Sequence, residues 1–301
     1  MKHVLTTLLV VATASIYAAT PYITEVFDFF PGMGQFVNEL PKYETGDTKA
    51  DMIKKVKDAI ANNNQGTISL GGWGGYVIFG FDHMVENVPG EYDFVVLGNA
   101  FDGAAEPGIV VVSYDENENS LPDDEWYELA GSEYHNSSTL FNVDSTYKRE
   151  ADTIHNDWHK QPYYPQWLEE DEYTLRGNIL PKNATYTTMW ILNSFAYGYV
   201  DNYPNQDERG YLKIDWAVDA TGQPVNLPGI HFVKVYNGED QMCGDIGETS
   251  TEVKGAIDLH LATLINQVTQ DQSSNRKFLK DGQFIIQSGG RTYNLLGQEI
   301  R

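Results

Sequence analysis

The sequence predicts a mostly-β protein, a jelly-roll-like β-sandwich with a short flanking helix near the N-terminus. Between residues 66 and 131, short β-prone segments follow one another, each bounded by Gly, Pro, Asp or Asn. Many strands at such spacing are typical of sandwiches and jelly rolls, and they do not alternate with helices as in α/β proteins. The 301 residues are 41% hydrophobic and 13% aromatic, which is enough for a sizeable core.

The first 19 residues have the pattern of a signal peptide. A short basic region, Lys2 and His3, precedes the apolar run 4–14, and small residues follow it. Cleavage near Ala19 would export the protein; the alternative is a buried N-terminal strand or helix. The run is too short for a comfortable membrane span and no other stretch is long and apolar enough, so we do not expect an integral membrane protein.

The charge balance restricts the class of partner. With 43 acidic and 20 basic residues, the formal net charge is −23. Nucleic acids and anionic membrane surfaces need Lys and Arg to neutralise phosphate, so neither is expected as a partner. The balance suits cations and neutral ligands such as sugars. Cys243 is the only cysteine, so no intrachain disulfide can form.

One helix precedes the strands. In TKADMIKKVKDAIANNN, apolar residues recur every four positions at Met52, Val56 and Ile60, which predicts a helix near Asp51 to Ala61. The segments that predict strands are GTISLGG, GGYVIFGF, YDFVVLGNAF, PGIVVVSYD, EWYELAG, TTMWILN, GYLKIDWAVD and IHFVKVYNG. Residues 140–185 read as less regular, and the glycines of GGWGGY predict a bulge or a close approach of two backbones.

The sequence predicts that the chain divides into three parts. Residues 1–19 form the signal peptide, residues 20–270 the β-sandwich domain, and residues 271–301 a polar linker with a C-terminal β-tail. The tail reads as a hairpin about Gly289 and Gly290. The segment GAIDLHLATLINQV fits either a short helix or a strand.

An acidic and amide-rich connection, YDENENSLPDDEWYEL, lies between two of the predicted strands. Side chains at alternate positions can point oxygen atoms inward while the backbone curls, and calcium takes six to eight oxygen ligands. Because of this spacing we predict a calcium loop. Its predicted ligands are Asp115, Asn117, Asn119, Leu121 through its backbone carbonyl, and Asp123, Asp124 and Glu125.

The predicted calcium loop departs from the helix-loop-helix pattern at two positions. Ser120 stands where Gly is usual, and Trp126 stands where a Glu would close an EF-hand. A β-hairpin loop closed by Asp123, Asp124 or Glu125 is therefore the better model. The alternative is an Asx-rich turn that is simply solvated.

An aromatic segment offers a candidate ligand surface. Sugar rings present apolar C–H faces that stack on aromatic rings, while polar side chains reach the hydroxyl groups. The predicted ligand-binding residues are Trp158, His159, Tyr163, Tyr164 and Trp167. The alternative is that these rings pack as core at one end of the sandwich.

Several long segments resemble a known family. They are SLGGWGGYVIFGFDH, YDFVVLGNAF, EPGIVVVSYDENENSLPDDEWYELAGSEY, YVDNYPN, IDWAVDATGQPVNLPGIHFVKVY and GETSTEVKGAIDLH, spread over residues 31–260. Together they are similar to exported cell-surface proteins of Bacteroides-type bacteria, which implies the periplasm or cell surface of a Gram-negative bacterium. The glycine-rich strand start and EPGIVVVS also resemble galactose-binding-type jelly rolls, often with a structural calcium and a ligand site on loops.

The sequence favours a calcium-containing, non-catalytic protein that binds a glycan or another small neutral ligand. One alternative is a carbohydrate-active hydrolase or lyase, which needs two converging carboxylates; Glu91, Asp93 and Glu106 are candidates, although acidic surface residues are the simpler interpretation. Further alternatives are an accessory protein for surface uptake of a nutrient or corrinoid, and a structural role in the cell envelope. The oligomeric state stays open.

Overall fold

The computed structural model describes residues 19–151 and 162–261, together with three strands of the C-terminal tail. The predicted signal peptide, apart from residue 19, lies outside the described residues, as does the polar linker 271–275. The fold is mostly β with a large antiparallel sheet, and the predicted fold class is confirmed. Among the described residues, no helix is long and apolar enough to cross a membrane.

Seventeen strands and one complete α-helix lie in the described residues, and residues 259–261 are also helical. In chain order they are β1 (Glu25–Gly32), α1 (Lys49–Ile60), β2 (Ile68–Ser69), β3 (Gly72–Glu86), β4 (Phe94–Leu97), β5 (Gly108–Ser113), β6 (Trp126–Leu129), β7 (Leu140–Lys148), β8 (Glu172–Ile179), β9 (Ala184–Tyr186), β10 (Trp190–Leu192), β11 (Ala217–Val218), β12 (Gly229–Asn237), β13 (Glu252–Val253), β14 (Gly255–Asp258), β15 (Arg276–Lys280), β16 (Gln283–Ser288) and β17 (Arg291–Tyr293). Short 3₁₀ turns occupy Arg149–Ala151, Glu208–Gly210, Ile214–Trp216 and Gly244–Ile246.

The main sheet has six strands in the order β1-β3-β12-β5-β6-β11. Every neighbouring pair in it is antiparallel. The short pairs β4–β14 and β2–β13 contribute to the same core as this sheet. That single apolar cluster joins valines of β5 and β12 to Phe94 of β4, Val253 of β13 and one face of α1.

Helix α1 forms for the reasons that the sequence indicates. Met52, Val56 and Ile60 are its buried residues, and they face β1. Thr48 caps the N-terminus in a capping box with Asp51, so two backbone N–H groups that the helix leaves free find acceptors. The observed helix begins two residues earlier than predicted and ends one residue earlier.

The glycines of GGWGGY allow two backbones to approach closely, as predicted. A Cβ built on Gly75 would lie 1.9 Å from the carbonyl oxygen of Leu70. The pairing of β1 with β3 shifts register between Phe30 and Gly32, next to this contact. Any side chain at Gly75 would therefore push the strands apart.

The hairpin formed by β7 and β8 was not predicted, since residues 140–185 read as irregular. Its two strands pair from Leu140 to Lys148, yet most of β7 alternates between exposed and partly buried side chains. Without a buried face, the segment lacks the apolar alternation that identifies a strand. In the tail, β16 pairs with β17 so that Ser288 lies opposite Arg291, while the predicted turn at residues 289–290 lies outside the described residues.

Candidate functional site

A cleft of about 680 Å³ opens at one end of the main sheet. Four neighbouring strands supply its lining: β1, β3 and β12 directly, and β5 through the loop that follows it. The lining residues are Thr24, Glu25, Phe27, Phe81, Asp82, His83, Met84, Tyr114, Asp115, Glu118, Ser120, His231 and Phe232. The acidic loop that the sequence singled out therefore forms one wall of the cleft.

Aromatic rings line much of the cleft. Phe27 meets Phe232 edge-to-face with ring centroids 5.3 Å apart, and Tyr114 lies 5.3 Å from the ring of His231. Phe232 is buried, whereas Phe27, Tyr114 and His231 are partly exposed. Partly exposed rings that are fixed by neighbouring rings offer flat apolar surfaces to a ligand.

The acidic loop is curled around the carboxylate of Asp115. Asp115 is buried, with 6% of its surface exposed, and its Oδ1 and Oδ2 accept the backbone N–H groups of Asn119 and Ser120 at 3.1 and 2.8 Å. Ser120 has φ +60°, in the left-handed region that favours glycine. Ser120, which stands where glycine is usual, thus adopts a backbone conformation that favours glycine.

The other predicted calcium ligands are gathered by hydrogen bonds within the loop. The side-chain amide of Asn117 donates to Asp123 and Asp124, at 3.1 and 3.3 Å, and that of Asn119 donates to Asp123 at 3.0 Å. The amide N–H groups stand where a cation would neutralise the two carboxylates. A calcium ion that binds these carboxylates would have to displace or rotate the two amides.

Two predicted ligands stand apart from this cluster. The Glu125 carboxylate accepts the hydroxyl of Tyr127 at 3.0 Å, outside the bonds that gather Asp123 and Asp124. Leu121 is exposed, and its backbone N–H donates to Asn119 at 2.7 Å. The geometry therefore favours closure of the loop by Asp123 and Asp124. Calcium binding at this loop stays a prediction.

Two histidines of the cleft have different electrostatic surroundings. Burial lowers the pKa of His231, whose Nδ1 accepts the backbone N–H of Asp115 at 3.2 Å. The hydrogen bond with Asp258 raises the pKa of His83, which contacts Asp82 as well. His231 is therefore the neutral acceptor, and His83 is the ring that takes up a proton first.

The structure places part of the predicted aromatic ligand surface in the core. Tyr163, Tyr164 and Trp167 are 4%, 0% and 6% exposed. The ring of Trp167 stacks on Phe29 with centroids 6.1 Å apart. Trp158 and His159 lie outside the described residues. Three of the five rings thus pack as the core alternative expects, and ligand contact by this segment stays a prediction.

A second acidic group lies elsewhere in the fold. Glu106, Asp201 and Glu252 bring one carboxylate oxygen each to within 4.8 Å of one another. Among the described residues, no other group of three or more His, Cys, Asp or Glu side chains meets in this way. Asp201 and Glu252 are buried and Glu106 is partly buried. The triad could not be predicted from sequence, since its members are distant in the chain and follow no motif.

The electrostatics of this triad are unfavourable when all three groups are ionised. Burial makes the largest contribution to the raised pKa of all three carboxyl groups. For Glu106 and Glu252, repulsion from the neighbouring carboxylates raises the pKa further. Two such charges 4.8 Å apart repel by about 3 kcal/mol at an effective dielectric constant of about 20. In the described part of the chain, no Lys, Arg or His forms an ion pair with the triad.

The candidates for hydrolytic catalysis are dispersed. Glu91 is exposed, whereas Asp93 is fully buried and accepts the backbone N–H groups of Val88 and Ile214 at 2.9 and 2.7 Å. Glu106 belongs to the triad. The expectation of surface carboxylates is thus wrong for Asp93, whose oxygens fix two loops instead.

Neither a scan against protein-family models nor a search of curated proteins finds a match to this chain. The geometry and the chemistry of the cleft are therefore what supports a function.

Proposed function

We propose that this chain is an exported, calcium-containing, non-catalytic binding protein that recognises a glycan at the cell envelope of a Bacteroides-type bacterium. The observation that carries the proposal is the cleft at the end of the main sheet, where partly exposed aromatic rings face a loop rich in oxygen donors. This combination of flat apolar surfaces and polar groups is what a sugar requires.

The ligand chemistry follows from the groups around the cleft. Tyr114 and Phe27 supply apolar faces, and Ser120 and His231 supply hydrogen-bonding groups. The carboxylates of Glu25, Asp82, Asp115 and Glu118 also line the cleft, so an anionic ligand would meet charge of its own sign. A neutral glycan fits these surroundings.

The arrangement favours binding over catalysis. A glycosidase places one carboxylic acid and one carboxylate on either side of the scissile bond. Both oxygens of Asp115 already accept backbone N–H groups of their own loop, and Asp82 bonds to His83. These carboxylates hold the walls of the cleft in place.

A glycan array probed with residues 20–301 in calcium buffer tests the proposal. Tyr114→Ala removes the partly exposed ring, so we expect a glycan bound by the natural chain to bind about 5- to 30-fold more weakly, as stacking contributes about 1–2 kcal/mol. Tyr186→Ala is the matched control, because Tyr186 is exposed and does not line the cleft. Equal losses in both variants, or no glycan bound by the natural chain, would count against this site.

A further inference from the structure

We propose that the glycan bound in the cleft carries free amino groups on its otherwise neutral sugar units, and that Glu118 and Tyr114 select for them. This proposal rests on the proposed function, because it names the class of glycan that the same cleft recognises. A protonated amino group is attracted both by a carboxylate and by the face of an aromatic ring. Glu118 and Tyr114 line the cleft, where Glu118 is exposed and Tyr114 is partly exposed.

The carboxylates of the cleft differ in whether they already have a partner. Glu25 forms an ion pair with a lysine of α1 at 2.6 Å, and Asp82 lies 2.8 Å from Nδ1 of His83. Both oxygens of Asp115 accept backbone N–H groups. Among the described residues, no Lys, Arg or His forms an ion pair with Glu118. The Glu118 carboxylate is therefore available to a positively charged group of a ligand.

The histidines of the cleft do not offset its negative charge. The two ring nitrogens of His83 face two carboxylates, Asp82 at 2.8 Å and Asp258 at 2.9 Å, so even a doubly protonated ring leaves one carboxylate charge over. His231 accepts the backbone N–H of Asp115 through Nδ1. An imidazole that accepts at one nitrogen carries its only proton on the other and is neutral. The cleft therefore keeps a negative charge that a cationic ligand would neutralise.

A calcium ion in the acidic loop would not reverse this charge. Residues 115–125 contain six carboxylates and no Lys, Arg or His. One calcium ion carries two positive charges, so this wall of the cleft would remain negative after calcium binding. Glu118 is not among the predicted calcium ligands, so its carboxylate would stay available. A ligand with an amino group would thus be attracted with or without calcium.

Tyr114 offers the second contact for an amino sugar. Its ring centroid lies 5.3 Å from that of His231, so a neighbouring ring supports it, and it stands four residues before Glu118 on the same wall of the cleft. A sugar can stack its C–H face on this ring, and a charged amino group adds a cation–π attraction. An N-acetylated sugar keeps the stacking but brings no positive charge. Selection between the two therefore depends on the amino group.

Two matched probes, the trimers of glucosamine and of N-acetylglucosamine, measure this selectivity by titration calorimetry with residues 20–301. The buffer is held at about pH 6, below the α-amino pKa range of about 7.7–8.0, so that most amino groups are charged. We expect the glucosamine trimer to bind about 4- to 25-fold more tightly, because an exposed ion pair and a cation–π contact contribute about two- to fivefold each. Raising the salt from about 0.01 to 1 M shortens the Debye length from about 30 to 3 Å and should reduce this ratio.

Two variants of the acidic loop separate the cleft from the general negative charge of the chain. Glu118→Gln should weaken binding of the glucosamine trimer about two- to fivefold and leave that of the N-acetylglucosamine trimer unchanged. Glu116→Gln is the matched control: it removes the same charge from the same loop, but Glu116 does not line the cleft. Tyr114→Ala should weaken binding of both trimers, and of the glucosamine trimer more.

The outcomes separate this selectivity from the proposed function. A preference for the glucosamine trimer that falls with Glu118→Gln, but not with Glu116→Gln, supports the proposal. Equal affinities for the two trimers, or tighter binding of the N-acetylated one, would overturn it and leave glycan recognition standing. Equal losses in Glu118→Gln and Glu116→Gln would also overturn it, since they would show attraction of a cation to the acidic chain as a whole. If neither trimer binds, the selectivity is refuted, and the glycan array decides the proposed function separately.

Discussion

The ring of His231 on β12 accepts the backbone N–H of Asp115 at 3.2 Å, so the first residue of the acidic loop is tied to the main sheet. Asp115 in turn binds the backbone of Asn119 and Ser120. Sheet, loop and cleft wall therefore form one connected unit. Because burial lowers the pKa of His231, the ring keeps this bond at neutral pH and loses it only as the pH falls through that lowered value.

Calcium at the acidic loop is best tested at Asp123. Its carboxylate accepts only side-chain amides of the loop, so Asp123→Ala should remove a calcium ligand with little effect on the chelated protein. We expect the calcium-dependent rise in melting temperature to shrink, and calcium affinity at the loop to fall at least tenfold by titration calorimetry. Glu116→Gln removes the same charge from the same loop at a position that is not a predicted ligand. Identical calcium responses of the two variants would speak against a loop site.

Ser120→Gly should stabilise the acidic loop. The residue has φ +60°, a conformation that costs a non-glycine residue about 1 kcal/mol, so glycine should raise the free energy of unfolding by about 0.5–1 kcal/mol. Ser138→Gly is the control, because Ser138 is exposed and has no positive φ. At position 138, glycine increases the conformational entropy of the unfolded chain without relieving strain, so Ser138→Gly should make the protein less stable. Urea denaturation measures both, and a loss of stability in Ser120→Gly would show that the loop conformation differs.

Trp167→Ala should act on the core. The side chain is 6% exposed and packs against Phe29 and Tyr43, so truncation should cost about 3–5 kcal/mol of stability. Tyr186→Ala, at an exposed ring, should cost less than about 1 kcal/mol. Chemical denaturation distinguishes the two. A fully stable Trp167→Ala chain with altered glycan binding would instead restore the segment to the ligand surface.

Glu128 should make stability depend on pH. Burial raises its pKa to about 7, against an ordinary value of 4.5. The folded state then binds more protons than the unfolded state, so its stability falls as the pH rises from about 4.5 to about 7. Its side chain is only partly buried, so we expect this group to lower the free energy of unfolding by about 1–2 kcal/mol over that pH range. Denaturation in chelator at several pH values should show a smaller decrease in Glu128→Gln; an unchanged decrease would contradict this assignment.

The elements that were predictable from sequence are those with a strong local signal. Helix α1 has apolar residues every four positions and a capping residue at Thr48, and the strands of the main sheet have apolar runs between turn residues. β7 was missed because its side chains have no buried face to produce such a run. Local patterns of apolar residues predict helices and strands that bury one face. They do not predict strands such as β7, which bury none.

The acidic loop could be predicted from a local pattern, whereas the buried triad could not. The loop that begins at Asp115 has its candidate ligands within eleven consecutive residues, so their spacing is visible in the sequence. Glu106, Asp201 and Glu252 meet only through the fold, and each by itself looks like one acidic residue among 43. The cleft is likewise assembled from four strands, so its aromatic lining could not be found by reading one segment.

The most direct test of calcium-assisted glycan binding is the affinity of the best array glycan for residues 20–301, measured by calorimetry with calcium and with chelator. Chelation should weaken glycan binding by the natural chain. Asp123→Ala should bind the glycan equally weakly in both buffers, because the loop wall then cannot be ordered by calcium. Affinity that is the same in both buffers for the natural chain, and unchanged by Asp123→Ala, would contradict a role for the acidic loop in recognition.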